Sequence, residues 1–551
     1  MKKIFFIVFI SLFLNIQNVI ALQNQKVSNK EDPFFLKNFK CQKNELAPKL
    51  KGIILNSEDI DKKCTGICID NLKIPGNLNE FKRNLIKYLN KPIDEQLVKD
   101  IKEEISYFYQ KQNHPFIKIG IPEQNVSDGV IHLEIIETKL GEIKLNYGKW
   151  TNKQTIESWI RLKKNCPIEL NNLTMDLFWL NKNPFRNVQT VLFPGTEKRT
   201  TDIEFLIKDR FPLRVYSGID NTGTNVTGNN RIFAGLLANT YKDQLLSYQY
   251  TSGSNMREFQ SHTFKYTIPL PWRNQLELIA GYSYFDVNYE VAGTTGKFHS
   301  DGMSLQTSAR YDIPLLVKQK LSILSFGVDF KRTNNNATFS DIPVFGAYSN
   351  LTQMMASYNI GSSSKYLDWD FEIEGYCSPG RWISDQSNAR YATIRAFAKN
   401  QYIYLRSSSS LLFFIKDFRA AMFFRWQVAN QNLLPSETFG LGGYNTVRGY
   451  RERVYNGDLA LLYNLEFQSP NIKSKIGAFR LLGFFDVGKV WKYKKAGSEK
   501  KSQLLYSVGP GLRYFWSPYI TSRLDWGIKL RRRPDLGSSK HKLHFSLIVG
   551  Y

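Results

Sequence analysis

The C-terminal part of the chain alternates apolar and polar residues with a period of two, the pattern of β-strands that have one apolar face. The last such segment is the clearest, and its apolar set is Leu543, Phe545, Leu547, Val549 and Tyr551. The positions between them are mostly polar, small or charged. From about residue 213, about sixteen segments of this kind follow one another, separated by clusters of Gly, Asn, Ser and Asp.

The number and length of these segments decide between two β architectures. A soluble sandwich buries its apolar faces, whereas a membrane barrel turns them to lipid and keeps the polar faces in its lumen, and the period of two is the same in both. About sixteen segments, with strands of roughly ten residues, favour the barrel. The sequence therefore predicts a mainly β fold, with a sixteen-stranded antiparallel transmembrane barrel over residues 212–551.

Two small units with a different pattern precede the barrel. Each reads as strand, helix, helix, strand and strand, and in the first unit Leu78, Phe81 and Leu85 recur at helical spacing. In the second, residues 151–154 have the pattern of a helix N-terminus. The repeated order favours two α/β modules, at 64–138 and 139–211, over one larger α/β domain.

The N-terminus has the pattern of an export signal. Lys2 and Lys3 precede the apolar run Ile4–Leu14, and small residues allow cleavage after Ala21. Residues 1–21 are therefore predicted to be a signal peptide, and residues 22–63 a polar leader. Within the leader, Asp32–Phe39 has the pattern of a short helix.

Charge and cysteine content refine this picture. The net charge is +25, and for an exported chain this excess favours acidic lipid or polypeptide over nucleic acid as a partner. Cys64 and Cys68 are close in sequence and in an oxidising compartment, which favours a disulfide that involves them. The six histidines are scattered, and neither zinc-ligand spacing nor a Gly-x-Ser-x-Gly elbow is present. We predict no metal, no cofactor and no enzymatic activity.

A glycine-dense run interrupts the strand pattern. Its glycines are Gly440, Gly442, Gly443 and Gly449, which predict a loop folded tightly on itself, and the loop carries Arg448. A confined guanidinium needs a carboxylate partner.

One candidate partner lies on a strand downstream of this loop. In the segment Phe479–Trp491 the period of two places Asp486 on the lumenal face. We predict a bidentate pair between Arg448 and Asp486 that holds the loop inside the barrel. Glu466 and Asp525 are predicted to be lumenal charges paired with Arg513 or Arg523.

These motifs resemble those of one family. Val447-Arg448-Gly449-Tyr450 resembles the lid-loop motif of POTRA-barrel proteins of the outer membrane, and Phe485–Gly488 resembles its partner motif. Leu433–Gly443, Ile121–Val130 and Asp220–Gly223 are similar to further stretches of two-partner secretion transporters (TpsB), the haemolysin activation/secretion proteins.

The resemblance implies an outer-membrane transporter. Two POTRA domains in the periplasm would capture an unfolded, TpsA-like exoprotein, partly by strand addition. The barrel would conduct the exoprotein to the cell surface, and a lid loop at about 433–456 would gate or brace the pore. A plug helix would map to Asp32–Phe39, and Tyr551 would serve as the signal to the barrel-assembly machinery in place of the usual phenylalanine.

Two other functions remain open at this point. An outer-membrane assembly factor of the same superfamily normally carries more POTRA units. A passive porin or receptor has no use for two periplasmic modules.

Overall fold

The computed structural model describes residues 48–56, 64–197, 199–224, 227–290, 297–317, 320–339, 342–531 and 539–551. The predicted signal peptide and the predicted helix at Asp32–Phe39 lie outside these ranges. The described residues form two compact units, one that ends at Arg210 and one from Phe211 to Tyr551.

The first α/β domain is a four-stranded sheet covered by two helices. Its elements are β1 (Gly52–Leu55), β2 (Gly66–Ile69), α1 (Leu78–Ile86), α2 (Glu95–Lys111), β3 (Ile117–Gly120) and β4 (Val130–Glu137). The strand order is β2-β1-β4-β3, with β1 parallel to both neighbours and β3 antiparallel to β4. Phe81, Ile101 and Phe108 project from the helices into the core between helices and sheet.

The strand β1 falls in the stretch predicted to be a leader, yet it lies at the centre of this sheet. Ile53, Ile54 and Leu55 are fully buried. A strand of four residues that is buried on both faces has no alternation, so the period of two cannot reveal it.

The second α/β domain repeats the plan with three strands. Its elements are β5 (Lys139–Asn146), α3 (Lys153–Trp159), α4 (Leu170–Asn181), β6 (Arg186–Pro194) and β7 (Thr200–Asp209), in the sheet order β5-β7-β6. Residue Asn113 of the first domain caps α4: its side-chain oxygen accepts the Asn171 N–H at 2.7 Å, and its carbonyl accepts the Leu170 N–H at 3.2 Å. The first domain thus supplies the cap that the second domain's Glu169 side chain does not provide.

The second unit is a closed antiparallel barrel. Its first strands are β8 (Leu213–Asp220), β9 (Arg231–Asn239), β10 (Leu245–Ser252), β11 (Phe259–Pro269), β12 (Gln275–Glu290), β13 (Lys297–Val317), β14 (Lys320–Phe339), β15 (Ile342–Ser363), β16 (Leu367–Pro379), β17 (Gln401–Ile415) and β18 (Phe418–Ala429). After a short hairpin of β19 (Phe439–Leu441) and β20 (Tyr455–Gly457), it continues with β21 (Leu459–Gln468), β22 (Ile472–Ser474), β23 (Gly477–Trp491), β24 (Ser502–Trp516), β25 (Ile520–Lys529) and β26 (His541–Gly550). Since β21 and β22 both pair with β23, they form one interrupted strand, and the described residues make sixteen strands in all. The barrel closes where β26 pairs with β8, from Ser546 and Asp220 to Gly550 and Tyr216.

The two ends of the barrel differ. At one end, which we call the turn end, strands are joined by short turns such as residues 364–366, 416–417 and 517–519. At the other, the loop end, long connections include 380–400, which contains helix α5 (Asn388–Ile394), and 430–458, which contains the lid loop. Outer-membrane barrels have short periplasmic turns and longer extracellular loops, so the asymmetry is that of a membrane barrel.

The strand faces show the same arrangement. On β25 the outward residues Leu524, Trp526 and Ile528 are exposed, while Asp525 between them is fully buried in the lumen. Apolar side chains therefore point away from the barrel axis, as a lipid-facing wall requires. None of the described helices is long and apolar enough to cross a membrane.

Candidate functional site in the barrel lumen

The lid loop lies inside the barrel and packs against its wall. Leu441, Val447 and Tyr450 of the loop are fully buried and form a small apolar core with lumenal residues of β21, β23 and β24. Gly442 and Gly443 have φ angles of 100° and 110°, in the region that favours glycine. A Cβ at Gly443 would also lie 2.2 Å from the Glu452 side chain, so these glycines let the loop fold back on itself.

Arg448, at the inner part of the lid loop, is held by several wall residues at once. Its Nε and Nη2 donate to the two carboxylate oxygens of Asp486, both at 2.7 Å, and its backbone N–H donates to the same carboxylate at 3.0 Å. Its Nη1 donates to Glu466 at 2.7 Å and lies 3.4 Å from Asp525. The guanidinium also lies 3.5 Å from the ring centroid of Phe484. The structure therefore brings Arg448 and Asp486 together as a bidentate pair, within a wider acidic site.

Two further guanidinium groups balance these carboxylates. Arg513 donates to Asp525 at 2.6 Å and lies 3.5 Å from Glu466, and Arg523 donates to Asp525 at 2.6 Å. Asp525 is fully buried and Arg448 is 2% exposed. Three arginines thus face three buried carboxylates, and removal of Arg448 leaves buried negative charge without its partner.

A close approach of two backbones fixes the position of the lid next to Arg448. A Cβ on Gly527 of β25 would lie 2.2 Å from the backbone nitrogen of Gly449, and one on Gly449 would lie 2.8 Å from the carbonyl oxygen of Gly527. The Gly449 N–H donates to Nε2 of His544 on β26 at 2.9 Å. Glycine inside a strand often marks such a contact, which is the signal that could have identified Gly527 from the sequence.

Glu437, on the first arm of the lid loop, forms a second anchor that the sequence analysis does not identify. Its carboxylate accepts from Lys331 of β14 and Tyr404 of β17, each at 2.7 Å, and from Gln353 of β15 at 3.1 Å. Glu437 is 1% exposed. The lid is therefore held through an arginine on one set of strands and through a glutamate on another.

We expect Glu437→Gln to loosen the first arm of the lid. The substitution removes the charge that balances the ammonium of Lys331, and breaking a buried pair costs about 3–5 kcal/mol. Faster amide exchange of residues 433–441 in the membrane-inserted protein would show this. Glu499→Gln is the matched control, because Glu499 pairs with Lys492 on the surface at 2.6 Å and such pairs contribute about 0–1 kcal/mol. Equal exchange in the two variants would contradict the second anchor.

The remaining predicted residues lie elsewhere. Cys64 and Cys68 form a disulfide with Cα atoms 6.4 Å apart in the first α/β domain. Gly440 lies in β19, where a Cβ would meet the Arg453 side chain at 2.7 Å. Tyr551 is exposed at the turn end, where its N–H donates to the Val215 carbonyl at 2.9 Å and its ring lies 6.3 Å from that of Tyr519. Within the described ranges, no group of three or more His, Cys, Asp or Glu residues could hold a metal ion.

The fold and the docked lid define a class of protein. Two small α/β domains of the POTRA type, followed by a sixteen-stranded barrel with an inserted loop, define an outer-membrane POTRA-barrel protein. The family model of the haemolysin secretion/activation protein ShlB/FhaC/HecB matches residues 200–514. The chain therefore belongs to this family, and the predicted resemblance and fold class are confirmed.

Individual relatives are distant but cover most of the chain. The heme/hemopexin transporter protein HuxB of Haemophilus influenzae (strain 86-028NP) is 24% identical over 506 residues, which span 85% of this chain and 84% of the relative. The outer membrane transporter CdiB of Dickeya dadantii (strain 3937) is 20% identical over 444 residues, 78% of this chain and 76% of the relative. Among solved structures, CdiB from Escherichia coli matches with a TM-score of 0.74 at 15% identity, over 98% of each chain.

Proposed function

We propose that this protein carries an unfolded exoprotein from the periplasm through the barrel to the cell surface, as in two-partner secretion. The observation that carries the proposal is a lid loop of the chain's own that docks on the lumenal wall through side-chain and loop contacts separate from the barrel ladders. A polypeptide that enters can replace these contacts without opening the sheet. The relatives HuxB and CdiB are named as transporters, and the family assignment gives this chain the same general role.

The orientation of the barrel follows from its two ends. With the N-terminal domains in the periplasm, β8 begins at the turn end, so the turn end faces the periplasm and the loop end faces the outside. We further propose that the first POTRA domain begins at β1, that the second spans 139–211, and that Tyr551 directs the barrel-assembly machinery to the barrel.

The edge of β6 is a suitable place for the exoprotein to bind by strand addition. β6 lies at one edge of its sheet, and Val191 and Phe193 on this strand are exposed. At Val188 the outward N–H and C=O are already paired with the Asn181 side chain, at 2.7 and 2.9 Å. By the alternation of an antiparallel strand, the N–H and C=O of Thr190 and Leu192 also point away from β7. An extended segment with apolar residues at alternate positions would fit this edge.

We expect Thr190→Pro to weaken capture of the exoprotein. Proline removes the N–H that points away from β7, so the domain keeps its own ladder while the added strand loses a donor. Thr190→Ala removes the same side chain, keeps the N–H, and is the matched control. Secretion that falls severalfold in the proline variant alone would support binding at this edge. Equal secretion in both variants would place binding elsewhere.

Crosslinking in the intact protein tests the function itself. A photo-reactive residue in place of exposed Phe193, in the full-length protein in its own outer membrane, would label what occupies this edge. One large exported protein would support a dedicated transporter. Many different barrel precursors would instead indicate an assembly factor and overturn the proposal.

A further inference from the structure

The long connection at residues 380–400 packs against the loop end of β15 and the lid loop. The pairing of β15 with β16 begins at Met354, so the residues of β15 before Met354 have no partner strand on that side among the described residues. Side chains of the connection form hydrogen bonds with this edge of β15 instead. The amide of Gln386 bonds both the N–H and the C=O of Thr352, at 3.3 and 3.0 Å. The hydroxyl of Tyr391 on α5 donates to the Asn350 carbonyl at 2.8 Å, and its ring is fully buried.

An apolar cluster joins this connection to the lid. Tyr391 and Ala398 pack with Leu433 and Leu434 of the lid loop. The same buried cluster contains Leu351 of β15, Tyr402 and Tyr404 of β17, and Ala429 of β18. The two connections thus form one packed layer at the loop end.

One buried carboxylate ties three connections together. Asp458, at the end of the lid connection, accepts from both terminal nitrogens of Arg395, at 2.6 and 2.8 Å. The same carboxylate accepts the backbone N–H of Leu433 at 2.8 Å and that of Tyr493 at 2.9 Å. It is fully buried. Arg395 also donates to the Leu433 carbonyl at 2.6 Å, so it holds both arms of the lid connection.

We propose that Arg395 and Asp458 form an exit latch, and that residues 380–400 must separate from the lid loop for the exoprotein to leave at the loop end. The latch joins loops to one another, so it can open while every barrel strand stays paired. Its carboxylate is fully buried and its two hydrogen bonds are bidentate, so the closed state is favoured until an exiting chain displaces them. The proposal rests on the proposed function, since it assigns this layer to the exit of the transport path.

A reversible crosslink tests whether the two connections separate. Ala398 and Asn432 form a parallel β-bridge, which places their Cα atoms within disulfide range. Ala398→Cys with Asn432→Cys, in a Cys377→Ser background that removes the native barrel thiol, should block secretion roughly tenfold or more when oxidised and restore it on addition of a membrane-impermeant reductant. Each single cysteine variant is the control for loss of the native side chain. If the fully crosslinked protein secreted as fast as the same protein after reduction of the disulfide, the latch proposal would be overturned. Absence of secretion by the parent itself would overturn the proposed function instead.

A second measurement does not depend on the exoprotein. Purified full-length Arg395→Ala in planar lipid bilayers should open roughly tenfold more often than the parent. Asp458 keeps the N–H groups of Leu433 and Tyr493 in this variant, so the layer can still fold. Arg390→Ala is the matched control, because Arg390 lies on α5, which ends next to Arg395, and pairs with Asp385 and Tyr348 outside the latch. Equal opening in the parent, the Arg395 variant and the control would overturn the proposal.

Discussion

Replacing Arg448 with alanine is expected to reduce secretion of the exoprotein roughly tenfold or more, while the barrel remains inserted in the outer membrane. The substitution leaves Asp486 and Glu466 without their shared guanidinium, and uncompensated buried charge costs about 3–5 kcal/mol. The lid would therefore leave its docked position. The barrel ladders do not involve the Arg448 side chain, so heat-modifiable migration in electrophoresis should persist. Secretion is read as exoprotein in the culture supernatant, and undiminished export would remove the proposed role of the lid.

A charge swap tests direct contact. Arg448→Asp with Asp486→Arg should recover part of the secretion that either single variant loses, since the pair is bidentate. Recovery is expected to be partial, because an aspartate at 448 would face Glu466 and the backbone N–H of residue 448 would lose its acceptor, since an arginine at 486 cannot accept a hydrogen bond. Secretion no better than in the worse single variant would argue against a pair that acts by contact alone.

Strand parity explains why part of the site was predictable. A period of two assigns each barrel side chain to lipid or lumen, so the lumenal position of Asp486 follows from its own segment. Glycine density marks the loop that carries Arg448. In the structure, Nε of Arg448 lies 2.7 Å from a carboxylate oxygen of Asp486. A buried guanidinium requires a carboxylate partner, and the lumenal face supplies one.

Two other ion pairs of the lid connection could not be predicted from the local sequence pattern. Glu437 meets Lys331 across 106 residues of chain, and Asp458 meets Arg395 across 63. Neither pairing follows from the alternation on one strand, because it depends on which loops fold over the barrel mouth. The strand β1 was missed for a different reason, since four buried residues show no period.

A substitution on β25, Gly527→Val, is expected to have the second large effect on secretion. It displaces the lid without changing any charge. Gly527→Val would place a Cβ 2.2 Å from the Gly449 nitrogen, and a backbone atom cannot rotate away as a side chain can. Valine favours strands, so the β25 ladder itself should tolerate the change. We therefore expect the lid to leave β25 and the Gly449 N–H to lose His544 as its acceptor.

Secretion by Gly527→Val should consequently fall as far as in Arg448→Ala, roughly tenfold or more, because displacement of Gly449 also withdraws Arg448 from its carboxylates. Gly483→Ala on β23 is the matched control, since a Cβ there has no heavy atom within 4 Å. Secretion and heat-modifiability measured together separate lid displacement from barrel damage. A Gly527→Val barrel that is inserted and secretes at the parent rate would mean that docking of the lid tip on β25 is not required for transport. A secretion loss in Gly527→Val but not in Gly483→Ala would instead show that transport requires the close approach of the Gly449 and Gly527 backbones, which holds Arg448 at its carboxylates.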